Sequence, residues 1–227
     1  YGTKQASRNW NTTLSNVLKD LGFKQSVVDP GVFICVIREC VYIVLVYVDD
    51  MIIVGPDIKW IENFKQNMAK KFKIKDLGEA QWVLGMGVKV DKSTKSITIH
   101  QTKYIDDMLR RYNMESCKPV DTPMVTGQLE DSSIVLDEKQ AQLYRSIIGS
   151  LMYVMVCTRP DIGYAVSNLS KYMAQPSQQH LMAAKRVLRY LKGTKHLTLE
   201  FSGGDSNEDA NNVLLGYSDA DWGGDKL

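Results

Sequence analysis

Two carboxylates stand side by side, Asp49 and Asp50, in the most apolar stretch of the chain, VYIVLVYVDDMIIVG at residues 41–55. Adjacent like charges repel and resist burial, so a pair placed there needs compensation. Set at a turn between two buried strands, both side chains would emerge together at one edge of a sheet, on a rigid support. A divalent cation would neutralise them, and Mg²⁺ takes carboxylate oxygens together with substrate phosphates while keeping part of its water. That makes residues 49–50 a candidate metal site for phosphate chemistry. The plainer alternative is that Asp-Asp is good turn chemistry, projecting into solvent where the repulsion is weak. The pair alone leaves both open.

The elements that must position this pair are legible in the pattern. SRNWNTTLSNVLKDLG puts Trp10, Leu14, Val17, Leu18 and Leu21 at helical intervals, with Gly22 where a left-handed cap belongs. GVFICVI, VYIVLVYV and MIIVG are β-branched and aromatic runs, predicting three antiparallel strands joined by two tight hairpins. Their continuous apolar character predicts cover on both faces of the sheet. Asp57 to Phe72 supplies one covering helix, with Ile58, Ile61, Phe64 and Met68 inward. QWVLGMGVKVD and KSITIHQ flank Lys92-Ser93-Thr94 as a further hairpin.

From Thr102 the period turns helical, with Tyr104, Ile105, Met108, Leu109 and Tyr112 on one face, and a domain boundary is expected here. After a Pro-, Ser- and Asp-rich loop, three helices follow. They are QLYRSIIGSLMYVMV; RPDIGYAVSNLSKYM, opened by a Thr158 cap with Pro160 and Asp161 in its first turn; and SQQHLMAAKRVLRYLKG, closed by Gly193. The last should bury Ala184, Val187, Leu188 and Leu191 and turn Lys185, Arg189 and Lys192 to one side. Short strands LTLEF and VLLGYSD end the chain.

Composition sets wide bounds: 227 residues and a net charge of +2, ordinary for a globular protein. The charge is uneven, with 14 Lys/Arg against 10 Asp/Glu in residues 1–100, 13 against 9 in 101–196, and 1 against 7 in 197–227. A basic body points to a polyanionic partner. No apolar run reaches the roughly 18 residues of a membrane span, and the N-terminus lacks a secretory layout, so no membrane partner is expected. Cys35, Cys40, Cys117 and Cys157 show no CxxC spacing and the histidines are scattered. Free thiols in a reducing compartment are the expectation, rather than zinc.

YVDD in a strand-turn-strand resembles the catalytic motif of reverse transcriptases, and the resemblance extends along the chain in the order of a Ty1/copia-type retrotransposon Pol polyprotein. YGTKQASRNW resembles the family's YGLKQAPRxW, with Thr3 for the usual Leu and Ser7 for the usual Pro. KDLGEAQWVLGMGV resembles its primer-grip region, YRSIIGSLMYVMVCTRPDIGYAVSNLSKYM its thumb-side signature, and LLGYSDADWGGD the opening of its RNase H domain. The fold implied is α+β: a partial palm at 1–100 with an antiparallel sheet, a helical thumb-like or connection region at 101–196, and a truncated RNase H-like domain at 197–227.

Carried over residue by residue, the resemblance makes Asp49 a palm ligand bridging two Mg²⁺ ions, with Asp50 supporting the second ion or the local charge. Lys4 and Gln5 would face the incoming nucleotide and template. Trp82, Leu84, Gly85 and Met86 would form the primer grip, and Arg159, Lys171, Lys185, Arg189 and Lys192 would contact nucleic-acid phosphates. Asp219 matches the first metal-binding aspartate of an RNase H site, and Asp221 stands beside it. For each basic or polar residue the alternative is an ordinary surface or packing role.

The implied cofactor is Mg²⁺, two ions in the complete enzyme, with no organic cofactor. The implied partners are RNA template, DNA primer, deoxynucleotide and the rest of the Pol polyprotein, in the cytoplasm, in a virus-like particle, or in the nucleus. The family's further palm aspartate would precede Tyr1 and the remaining RNase H carboxylates would follow Leu227, so weak metal binding and no activity are expected of the isolated chain. A different class of reading is a non-catalytic nucleic-acid-binding relic of a truncated element.

Overall fold

The computed structural model describes residues 2–125 and 135–203. The chain divides into two compact units, residues 1–80 and 81–227. The hairpin at residues 86–100, expected to close the first domain, falls in the second unit.

The first unit opens with α1 (Ala6–Asp20), which buries Leu14 and Leu18. It ends at Gly22, φ +91°, where the Gly22 and Phe23 amides donate to the carbonyls of Lys19 and Leu18. That pairing satisfies the last turn's carbonyls and needs the left-handed backbone that glycine adopts without strain. Strands β1 (Lys24–Gln25), β2 (Val32–Ile37), β3 (Cys40–Tyr47) and β4 (Asp50–Val54) then form an antiparallel meander in that order. The two hairpins expected between the long strands are present. The first turns on Arg38-Glu39, at φ 47° and 67°, the left-handed pair that matches strand twist.

Helix α2 (Ile58–Ala69) starts from an Asp57 cap whose carboxylate accepts the Lys59 amide at 2.9 Å. It buries Phe64 and Met68, but Ile58 is 64% exposed and does not face inward. Trp60 takes that role, its ring 3.9 Å from Tyr42 and 5.6 Å from Phe64. The core joins Leu14 and Leu18, Phe33 and Cys35, Tyr42 and Val44, and Phe64 and Met68.

Register explains what that core leaves out. Ile34 pairs with Ile43, Val36 with Val41, and Leu45 with Ile52. Paired residues share a face, so these form an apolar surface opposite α1 and α2, on which Ile34, Val36, Val41 and Leu45 are exposed. Cover on both faces was expected. Only one face is covered among the described residues, because both helices pack on the side of Phe33, Tyr42 and Val44.

In the second unit, β5 (Trp82–Val83), β6 (Met86–Asp91), β7 (Ser96–His100) and β8 (Leu199–Ser202) form a second antiparallel sheet in that order. The strand LTLEF therefore extends the sheet of the second hairpin. Helices α3 (Thr102–Arg111), α4 (Glu138–Cys157), α5 (Gly163–Ser170) and α6 (Gln178–Gly193) pack around Ile105, Tyr144, Ile148, Leu151, Val166 and Leu188.

Thr158 does not cap the helix after it. It closes α4, and its buried hydroxyl donates to Gln101 Oε1 at 2.8 Å, while a 3-10 turn at Pro160–Ile162 leads into α5. The four cysteines are free thiols. Among the described residues no helix is long and apolar enough to cross a membrane.

Candidate active site at a strained hairpin

Strand β3 meets β4 across a two-residue loop, Val48-Asp49, closed by the pairing of Tyr47 with Asp50. Asp49 thus lies in the turn, as expected, whereas Asp50, expected beside it there, is the first residue of the returning strand, and Val48, expected at the end of β3, takes the other turn position. Asp50 shares the face of Tyr47, the face opposite α1 and α2. Both carboxylates are exposed, and no described residue hydrogen-bonds or ion-pairs with either of them. Two adjacent anions at a hairpin turn, with no partner among the described residues, are a hard-oxygen donor set suited to Mg²⁺. No group of three or more possible His, Cys, Asp or Glu ligands occurs among the described residues, so the donors fit in kind and supply part of a two-ion cage.

The turn is held under strain. Val48 has φ +55°, a left-handed conformation that β-branched residues rarely adopt. Such strain persists only where the surroundings fix it. Here the indole Nε1 of Trp10 donates to the Val48 carbonyl at 2.6 Å. The Trp10 ring is itself set edge-on against Phe72 at 5.3 Å. Trp10 reads in the sequence as one more apolar residue of a helix, and its donor role becomes visible only when α1 lies against the hairpin. Lys4 and Gln5 lie at the start of the same helix; both are exposed, and Gln5 occupies the cap position without a side-chain capping bond.

The residues matched to a primer grip form one hairpin in the second unit. Trp82 pairs with Gly87, Val83 pairs with Met86, and Leu84-Gly85 turn at φ 50° and 80°. The Tyr153 hydroxyl donates to the Leu84 carbonyl at 2.8 Å, and Lys103 Nζ sits 5.9 Å from the centre of the exposed Trp82 ring. Burial pushes the Tyr153 phenol up.

The five basic residues separate. Arg159 is 2% exposed, and its guanidinium donates to both Asp161 oxygens and to the carbonyl and hydroxyl of Thr194. Arg189 donates to the Lys118 carbonyl and Lys192 to that of Cys117. Lys171 is exposed and Lys185 half-buried. Asp219 and Asp221 lie outside the described residues.

A hairpin thus presents paired aspartates on a meander backed by two helices, and comparison with known proteins gives the chain a family. Residues 1–126 match the family described as reverse transcriptase (RNA-dependent DNA polymerase), and the chain belongs to it. Its relatives include transposon Pol polyproteins. Over 99% of its length the chain is 41% identical to the Retrovirus-related Pol polyprotein from transposon TNT 1-94 of Nicotiana tabacum, and over its whole length 40% identical to that from transposon RE1 of Arabidopsis thaliana. It spans 17% and 15% of those two proteins. It is also 31% identical to the putative transposon Ty5-1 protein of Saccharomyces cerevisiae, covering 70% of it. The Ty1/copia-type kinship expected from the motifs is thus found. No solved structure matches the chain.

Proposed function

We propose that this chain is the part of a transposon-encoded RNA-directed DNA polymerase that carries the catalytic hairpin, and that Asp49 and Asp50 are its metal-binding carboxylates. One observation carries the reading: two adjacent, exposed carboxylates, without a partner among the described residues, stand at a strained hairpin turn held by the unit's own first helix. Asp49 and Asp50 would hold Mg²⁺, which when bound supplies an activated primer 3′-hydroxyl and charge neutralisation on the nucleotide's phosphates. The primer 3′-hydroxyl gives up its proton to solvent as its oxygen bonds to the α-phosphorus, the bond from that phosphorus to the bridging oxygen breaks, and pyrophosphate leaves. The chain's own task is to hold both carboxylates in one orientation while that exchange occurs.

Lys4 and Gln5 then face nucleotide and template, the Trp82–Met86 hairpin approaches the primer strand, and Lys171 and Lys185 contact phosphates. Asp219 would be a metal ligand of an adjoining RNase H site. RNA template, DNA primer and deoxynucleotide are the partners, within a longer Pol polyprotein in the cytoplasm or a virus-like particle. Two-ion chemistry needs ligands from more than one strand, and the described residues bring two carboxylates from one hairpin, so the isolated chain is proposed to be inactive. Binding of nucleic acid without chemistry draws less support, since Arg159, Arg189 and Lys192 spend donors inside the protein.

The test is primer extension on an RNA template by the longer Pol chain that contains this segment. Asp49→Asn should abolish extension, and the isolated 227-residue chain should show none. Unchanged extension by the variant would overturn the assignment.

A further inference from the structure

We infer that Trp10 is a positioning residue for the carboxylate pair: its indole N–H, by holding the Val48 carbonyl, fixes the turn that aims Asp49 and Asp50. The inference rests on the polymerase reading of those aspartates and adds to it a side chain that does not touch substrate. Val48 immediately precedes Asp49 and sits at φ +55°, so without a restraint a two-residue loop built on a β-branched residue has every reason to relax. Relaxation would rotate the peptide that joins Val48 to Asp49, and with it the direction of the Asp49 side chain.

The restraint has three parts. Leu14 and Leu18 bury α1 in the core, the edge-on contact with Phe72 orients the indole, and the Nε1 to Val48 oxygen distance is 2.6 Å. The N–H of indole donates and cannot accept, so it specifies a carbonyl in one orientation. The same helix begins beside Lys4 and Gln5, so the segment proposed to face the nucleotide and the hairpin proposed to hold the metal are tied by one rigid element.

Two readouts test this. In the 227-residue chain, Trp10→Phe keeps an aromatic ring against Phe72 and removes the donor; 3-benzothienylalanine at position 10 is a closer isostere, with sulfur in place of N–H. Losing one net hydrogen bond should speed hydrogen–deuterium exchange of the segment 46–51 about fivefold, while exchange around Leu18 and Val44 stays as it was. In the longer Pol chain the same changes should lower kcat for primer extension about tenfold, with KM for the nucleotide within about twofold, because orientation is lost and binding is not. 7-Azatryptophan at position 10, which retains the N–H, should restore both.

Unchanged exchange at 46–51 in the benzothienylalanine protein, or unchanged kcat, would overturn the inference. A general loss of exchange protection across α1 and β3 would overturn it too, since Trp10 would then be a packing residue alone. Retained extension by Asp49→Asn would instead overturn the polymerase reading, and the exchange result would separate that failure from one of the hydrogen bond.

Discussion

Asp161 shows how a single residue's surroundings decide between surface and core roles. Burial pushes its carboxyl pKa up, but hydrogen bonds from Arg159 and Tyr190 outweigh this and hold it below the usual carboxylate range. Its partner Arg159 is almost wholly buried, so Asp161→Asn would leave a guanidinium without its counter-charge. Removing one member of a buried pair costs about 3–5 kcal/mol; with Asp161 itself partly exposed, about 2 kcal/mol is expected, read by urea denaturation. A carboxyl with a lowered folded pKa stabilises fully above its unfolded value, about 4, and that contribution is lost as pH falls through the folded value. The wild-type chain should therefore lose stability on acidification below about pH 4 more steeply than Asp161→Asn. In the sequence Arg159 is a phosphate-contact candidate through the resemblance to the thumb-side signature; its partner Thr194 lies far along the chain, and no local pattern announces that meeting.

At the scale of elements, apolar runs and turn residues made most of the fold readable. The three strands around Asp49 were legible because β-branched and aromatic residues alternate with polar turns, and α1 because Leu14, Leu18 and Gly22 fall at helical intervals. The joining of β8 to β7 was not, because Ser96–Ile99 pairs with residues about a hundred positions away and periodicity carries no partner information. Nor was the outward Ile58, since the first turn of a helix can shift its inward face onto Trp60. The end of β4 gives a prediction of its own. A Cβ on Gly55 would run into the Tyr42 ring, with Cε1 2.8 Å away, and that ring already lies against Trp60, tilted at 31° with centroids 3.9 Å apart. Gly55→Ala should cost about 1–3 kcal/mol by overpacking, seen as a lower urea midpoint; an unchanged midpoint would mean that Tyr42 can move aside.

For the whole molecule, the uncovered face of the first sheet matters most. Ile34, Val36, Val41 and Leu45 present a contiguous apolar surface, and among the described residues β4 is an edge strand of its sheet. Such surfaces drive association. The isolated chain should therefore self-associate with rising concentration in analytical ultracentrifugation, and Val36→Lys with Leu45→Lys should shift it towards monomer. The candidate site was legible as chemistry, through Asp49-Asp50 between apolar runs, while the device that fixes it, Trp10 on Val48, required the packed helix to be seen. The central claim is that these two carboxylates hold the metal of a polymerase, and single-turnover primer extension by the longer Pol chain tests it most directly. Asp49→Asn should remove extension while Asp29→Asn, at an exposed turn of the same sheet, leaves it at the wild-type rate; equal rates for the two variants would contradict the account.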